Sequence, residues 1–153
     1  MRASTPMREM TAGAVAPDAD EKEIRVLLVD DQAGMRTGLR ILLQLEANAK
    51  VIGEAGNAVE AESLAQALKP DLVIMDVEMP GCDGIAAASR CIHQHPQCMV
   101  IILTIHALPE VRARAIAAGA WAFVEKGKPQ ELRDAFRRAS EILQIDAPHS
   151  SNA

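Results

Sequence analysis

Aromatic residues make up only 2% of the chain, and tyrosine is absent. A core with so few rings has to be built from Val, Ile, Leu, Met and Ala, and 49% of the residues are hydrophobic. Cysteine is scarce as well. Cys82, Cys91 and Cys98 are odd in number and form no CxxC pair, which argues against a disulfide framework or a zinc knuckle. Reduced, partly buried thiols are expected. Basic residues are outnumbered, with 16 Lys and Arg against 21 Asp and Glu, a formal charge of -5. Polyanion binding depends on Lys and Arg neutralising phosphates, so no direct nucleic-acid binding is expected. No run approaches the roughly 18 apolar residues of a membrane span. The first 23 residues mix small, acidic and Pro residues without the apolar stretch of a signal peptide. Residues 1–23 are therefore expected as a flexible tail, with no membrane association and a cytoplasmic setting.

What is present is a repeated unit. From Ile24, "IRVLLVDD" is a Val- and Leu-rich run that stops at two aspartates and reads as a strand buried on both faces. "QAGMRTGLRILLQLEAN" follows, with Met35, Leu39, Leu42, Leu43 and Leu45 at helical spacing. The alternation continues through strands "KVIGEA", "DLVIMD", "CMVIILT" and "WAFVEK" and helices "AVEAESLAQALK", "IAAASRCIHQ", "PEVRARAIAAG" and "QELRDAFRRASEILQ". Strands that alternate with helices predict an α/β fold, a doubly wound parallel sheet covered on both faces. At 153 residues the chain fits one domain, hiding roughly 70% of its unfolded surface. The domain is expected over 24–145, and 146–153 as a second tail.

Ligands of such sheets gather at the carboxyl ends of the strands. The polar residues there are Asp30 and Asp31, Asp76, Thr104 and Lys126. Each has an ordinary structural use, such as capping a helix or forming a turn. Together they converge on one edge. Clustered carboxylates repel one another unless a cation is present, and an all-oxygen ligand set suits a hard divalent ion, with Mg²⁺ the best match. Asp76 can then act as a nucleophile toward a phosphoryl group whose oxygens Lys126 and Thr104 would hold.

The pieces "VLLVDD", "LVIMDVEMPGCDG", "IILT" and "FVEKG", in this order and spacing, resemble the receiver domain of two-component response regulators. The likeness is to the group that usually precedes a helix-turn-helix DNA-binding domain, which is not seen after Ile145. It implies a flavodoxin-like (βα)5 fold with strand order 2-1-3-4-5. It further implies that Asp76 accepts the phosphoryl group. Asp31, Asp76 and the Glu78 carbonyl would hold Mg²⁺, with Asp30 acting through water. Thr104, Lys126 and Phe123 would be the phosphoryl-binding and switch residues. The expected partners are a histidine kinase or phosphotransfer protein and a downstream protein, engaged through a face made by the fourth helix, fifth strand and fifth helix. A homodimer is also compatible.

The sequence departs from the family pattern at Ile105, where a small residue is usual and a branched side chain would narrow access to the phosphoryl site. Glu78 and His106 stand where receivers tune phosphoryl lifetime. Lys126 is followed by Gly127 instead of Pro, and Pro129 is expected to open the last helix. Trp121 is expected to be partly buried. The charges of the last two helices, Arg112, Arg114, Arg133, Arg137 and Arg138 among acids, read as a solvated face, and His93, His95 and His149 as surface residues. Three rival readings are a receiver cut from a longer DNA-binding regulator, a small Mg²⁺-dependent phosphatase with an aspartyl nucleophile, and a pseudo-receiver that takes no phosphate. Against the phosphatase, the paired aspartates come first in the chain, and Glu78 replaces the usual Asp acid/base.

Overall fold

Branched aliphatic side chains favour the pleated backbone where both faces of a sheet are covered. The runs rich in them are the strands of the computed structural model, which describes residues 21–146. These are β1 Ile24–Val29, β2 Ala49–Ala55, β3 Leu72–Asp76, β4 Met99–Thr104 and β5 Ala122–Glu125. The helices are α1 Ala33–Leu43, α2 Ala58–Leu68, α3 Gly84–Gln94, α4 Pro109–Ala117 and α5 Pro129–Asp146. Every pairing is parallel, and the order is β2-β1-β3-β4-β5, the flavodoxin-like arrangement the sequence predicts. Pro129 does open α5.

Side-chain alternation divides the interior into two cores. On β3, Val73 and Met75 pack with α2, α3 and α4, through Ala61, Ala65, Ala87 and Ala115. Leu72 and Ile74 pack on the other face with α1 and α5, through Leu39, Leu43 and Phe136. Phe136 is fully buried. Burial of this kind stabilises by about 1.5–3 kcal/mol for each large aliphatic or aromatic side chain. Helix starts use local chemistry: Asn57 accepts the Glu60 N–H at 2.8 Å while Glu60 Oε1 accepts from Gly56 at 2.8 Å, a reciprocal cap on α2.

Some expectations are corrected. Leu45 does not join the core. After Leu43 the backbone tightens, with the Leu45 and Glu46 N–H groups donating to Leu42 and Leu43 carbonyls. This turn leaves Leu45 exposed and carries Glu46 inward to 8% exposure. The arginines of α5 are not all a solvated face: Arg133 Nε and Arg137 Nε donate to Glu46 at 2.7 and 2.9 Å. Arg112 and Arg138 lie over the Phe123 and Trp121 rings, 5.7 and 5.8 Å from the centroids. His93 is exposed as expected, but His95 is half-buried with Nε2 shielded, in the turn where its carbonyl accepts the Cys98 N–H. His149 and most of both expected tails lie outside the described residues. Within the first tail, the Lys22 backbone exchanges two hydrogen bonds with the Gln144 side chain, at 2.6 and 2.8 Å.

Candidate functional site

β1 and β3 lie side by side at the centre of the sheet, so their carboxyl ends bring Asp30, Asp31 and Asp76 together. Carboxylate oxygens of the three residues all lie within 4.8 Å of one another. Asp30 is fully buried and Asp76 is 1% exposed, while Asp31 faces solvent. Neither Asp30 nor Asp31 caps α1, whose N-cap is Gln32. The Asp30 carboxylate instead accepts the Gln32 N–H at 2.9 Å, and the Asp30 carbonyl accepts Arg36 Nη1 at 2.6 Å.

Lys126, just past β5, reaches into this cluster. Its Nζ stands 3.0 Å from Asp30 Oδ2 and 3.1 Å from Asp76 Oδ2. Burial pushes the lysine toward its neutral form, but pairing with Asp30 and Asp76 outweighs it and raises its pKa. Burial pushes the Asp76 carboxyl above its ordinary value, with the Asp30 charge adding to the rise against the pull of the Glu78 N–H and Lys126. Asp30 Oδ2 has the lysine charge nearby but no aligned hydrogen bond. One ammonium beside three carboxylates leaves an excess of negative charge in a largely dry cluster. That donor set fits a hard divalent cation.

Two polar groups at the same sheet edge are arranged differently. Thr104 is fully buried, yet its hydroxyl is occupied. It can donate to Glu78 Oε2 or to the His106 carbonyl, both at 3.0 Å, and it accepts the His106 N–H at 3.2 Å. Glu78 Oε1 accepts the Ile105 N–H at 2.7 Å. Burial would raise the Glu78 pKa, but the bonds from Ile105, Thr104 and His106 outweigh it and hold the carboxyl below its ordinary value. His106 Nδ1 lies 3.5 Å from Glu78 Oε2 on a largely exposed ring. Ile105 is 55% exposed at the mouth. Phe123 is half-buried against the core on the α2–α4 side.

The sequence did not point to Arg36 or Gly84. Arg36 read as charge on the solvent side of α1, but it ties Asp30 to Glu54, whose carboxylate accepts its Nε at 3.0 Å. Gly84 read as part of a turn. A β-carbon there would fall 2.7 Å from the Asp76 carbonyl oxygen, so α3 starts directly against the acidic strand end. At the last loop, Gly127 adopts φ 88, and no cis peptide occurs among the described residues.

Comparison with known proteins places the chain by sequence and by fold. The model of the response regulator receiver domain matches residues 26–137. The uncharacterized transcriptional regulatory protein YxjL of Bacillus subtilis is 38% identical over 122 residues, 79% of this chain and 56% of that protein. The transcriptional regulatory protein LiaR of the same organism is 38% identical over 119 residues, 77% of this chain and 56% of that protein. The chain thus spans about half the length of these relatives. Among solved structures, the response regulator domain of Thermotoga maritima CheB superposes with a TM-score of 0.72 at 32% identity, covering 78% of this chain and 98% of that one. With the family's strand order and its motifs in place, the chain belongs to the response regulator receiver domains of two-component systems.

Proposed function

We propose that this domain takes a phosphoryl group onto Asp76 from a histidine kinase or histidine phosphotransfer protein and signals by reshaping its α4–β5–α5 face. The observation that carries this reading is the buried Asp76 at the centre of the sheet edge, with Lys126 Nζ 3.1 Å from its carboxylate and Asp30 and Asp31 beside it. A carboxylate oxygen of Asp76 forms the new bond to phosphorus. The bond from phosphorus to the donor imidazole nitrogen breaks, and its electron pair leaves with that nitrogen. Lys126 offsets the charge that collects on the phosphoryl oxygens. Asp31, Asp76 and the Glu78 carbonyl would hold Mg²⁺, with Asp30 reaching it through water. When bound, that ion supplies charge neutralisation among the carboxylates.

The domain promotes its own phosphorylation and dephosphorylation and turns over no separate substrate. Thr104 and Phe123 are its switch residues, moving inward together. The downstream partner is a protein surface, either on a separate molecule or within a longer DNA-binding regulator. The second setting is supported by the greater length of the relatives, and the reading frame after Ala153 tells the two apart.

Intact-mass measurement after incubation with Mg²⁺ and acetyl phosphate tests the proposal. One phosphoryl adduct is expected on the natural protein and none on Asp76→Asn. Failure to form an adduct with small donors and with a kinase would favour the pseudo-receiver reading. Sustained turnover of a phosphomonoester, lost in Asp76→Asn, would favour the phosphatase.

A further inference from the structure

Both carboxylate oxygens of Glu78 face donors at the end of β4: Oε1 accepts the Ile105 N–H at 2.7 Å, and Oε2 lies 3.0 Å from the Thr104 hydroxyl, which can donate to it or to the His106 carbonyl. That strand end adjoins the acceptor, since Leu103 pairs with Asp76 across β3 and β4. Glu78 is also rooted on the acceptor itself, because its own N–H donates to Asp76 Oδ1 at 2.8 Å. An anion carried on Asp76 would lie beside the same pair of donors that the Glu78 carboxylate faces. A phosphoryl group presents anionic oxygens to N–H and O–H donors much as a carboxylate does.

We propose that Glu78 is an internal competitor of the phosphoryl group, its carboxylate holding the Thr104 hydroxyl and the Ile105 amide until phosphorylation of Asp76 evicts it. The inference rests on Asp76 being the phosphoryl acceptor. Charge drives the eviction. A phosphoryl group brings about two negative charges beside the one that Glu78 carries, so the two cannot share the donors without strong repulsion. The exit is open, because the Glu78 side chain is 33% exposed and can move into water without being stranded. Its departure also removes the carboxylate beside His106 Nδ1. The β4–α4 segment then loses its tie to the β3–α3 loop. That segment carries two exposed apolar side chains, Ile105 and Leu108. Glu78 is thus a positioning residue, acting through Thr104 and Ile105.

The test compares Glu78→Ala and Glu78→Gln with the unsubstituted protein, using acetyl phosphate and Mg²⁺ and following the adduct by intact mass. In the reaction a carboxylate oxygen of Asp76 bonds to phosphorus, and acetate leaves with the electrons of the broken P–O bond. Adduct formation is expected to speed up about tenfold in Glu78→Ala, the effect of losing one charged hydrogen-bond acceptor. Glu78→Gln should fall between, since an amide oxygen still accepts the Ile105 N–H but carries no charge. Two readouts separate competition from a loop-strut role. The Ile105 amide proton should move upfield in Glu78→Ala before any phosphoryl donor is added. In a Thr104→Val background the acceleration by Glu78→Ala should shrink, because half of the contact is already gone. An adduct on the natural protein with equal rates in the Glu78 variants overturns the competition and leaves the acceptor reading standing. No adduct on any of the proteins overturns both.

Discussion

Gly84 and Val77 touch backbone to backbone: a β-carbon on the glycine would fall 2.5 Å from the Val77 α-carbon. The first turn of α3 therefore lies on the peptide that follows Asp76, with no room for a side chain between them. Gly84→Ala is expected to push this loop outward, destabilising the fold by about 1–3 kcal/mol, the usual cost of overpacking. The same shift would disturb the Asp76 to Glu78 peptide segment at the strand end, so adduct formation on Asp76 should slow as well. Denaturant titration and the adduct rate, measured on one preparation, check both effects.

Ile105 stands 55% exposed at the mouth of the site, so its side chain contributes little to the core. Ile105→Ala removes bulk from the entrance and keeps the backbone N–H. It is expected to speed reaction with acetyl phosphate severalfold without a measurable loss of thermal stability. Equal rates would mean that the entrance does not limit small donors.

Glu46 is buried between two arginines of α5. Burial alone would raise its pKa, but the bonds from Arg137 and Arg133 outweigh that and lower it. A carboxyl whose folded pKa is depressed stabilises the fold above its unfolded pKa and stops doing so as pH falls through the folded value. Because Arg137 is half-exposed, solvent screening limits the gain. Glu46→Gln should cost about 1–2 kcal/mol at neutral pH, the range for hydrogen bonds to charged groups reduced by solvent screening. The gap between the two proteins should close as pH drops below the ordinary glutamate range. Denaturant midpoints across acid pH measure it.

The three free thiols should react unequally. Burial pushes Cys98 up to about 12, and burial also raises Cys91. Cys82 is only half-buried. Brief treatment of the folded protein with iodoacetamide near neutral pH should label Cys82 first. Peptide mapping would then show Cys91 and Cys98 modified only after unfolding, since the reactive form is the thiolate.

The strands were legible because two-sided burial demands unbroken branched aliphatic runs, and "VLLV", "LVIM" and "VIIL" have no other ready use. Asp30, Asp76 and Lys126 were legible for a related reason: a charge that ends such a run must lie at the sheet edge. Leu45 misled because helical periodicity says nothing of where a helix stops, and the tightened turn after Leu43 exchanged Leu45 for Glu46. The arginines of α5 misled because charges alternating along a sequence can face a buried partner as well as water. The grip of Glu78 on Thr104 and Ile105 depends on how one loop folds back across a neighbouring strand. Residue spacing does not encode that.

Alternation along the strands puts Asp76 on the side of Leu72 and Ile74, in the layer of α1 and α5, and Thr104 on the side of Val100 and Ile102, in the layer of α2 to α4. A group that holds both residues is anchored in two separately packed layers, and its affinity includes the work of seating one layer against the other. Linkage makes that work reciprocal: a protein that grips one layer in its seated position must raise the affinity of the edge for the group by the same factor. On the proposed function, the sheet would be a thermodynamic balance beam, with the occupant of its edge weighed against whatever leans on its outer helices.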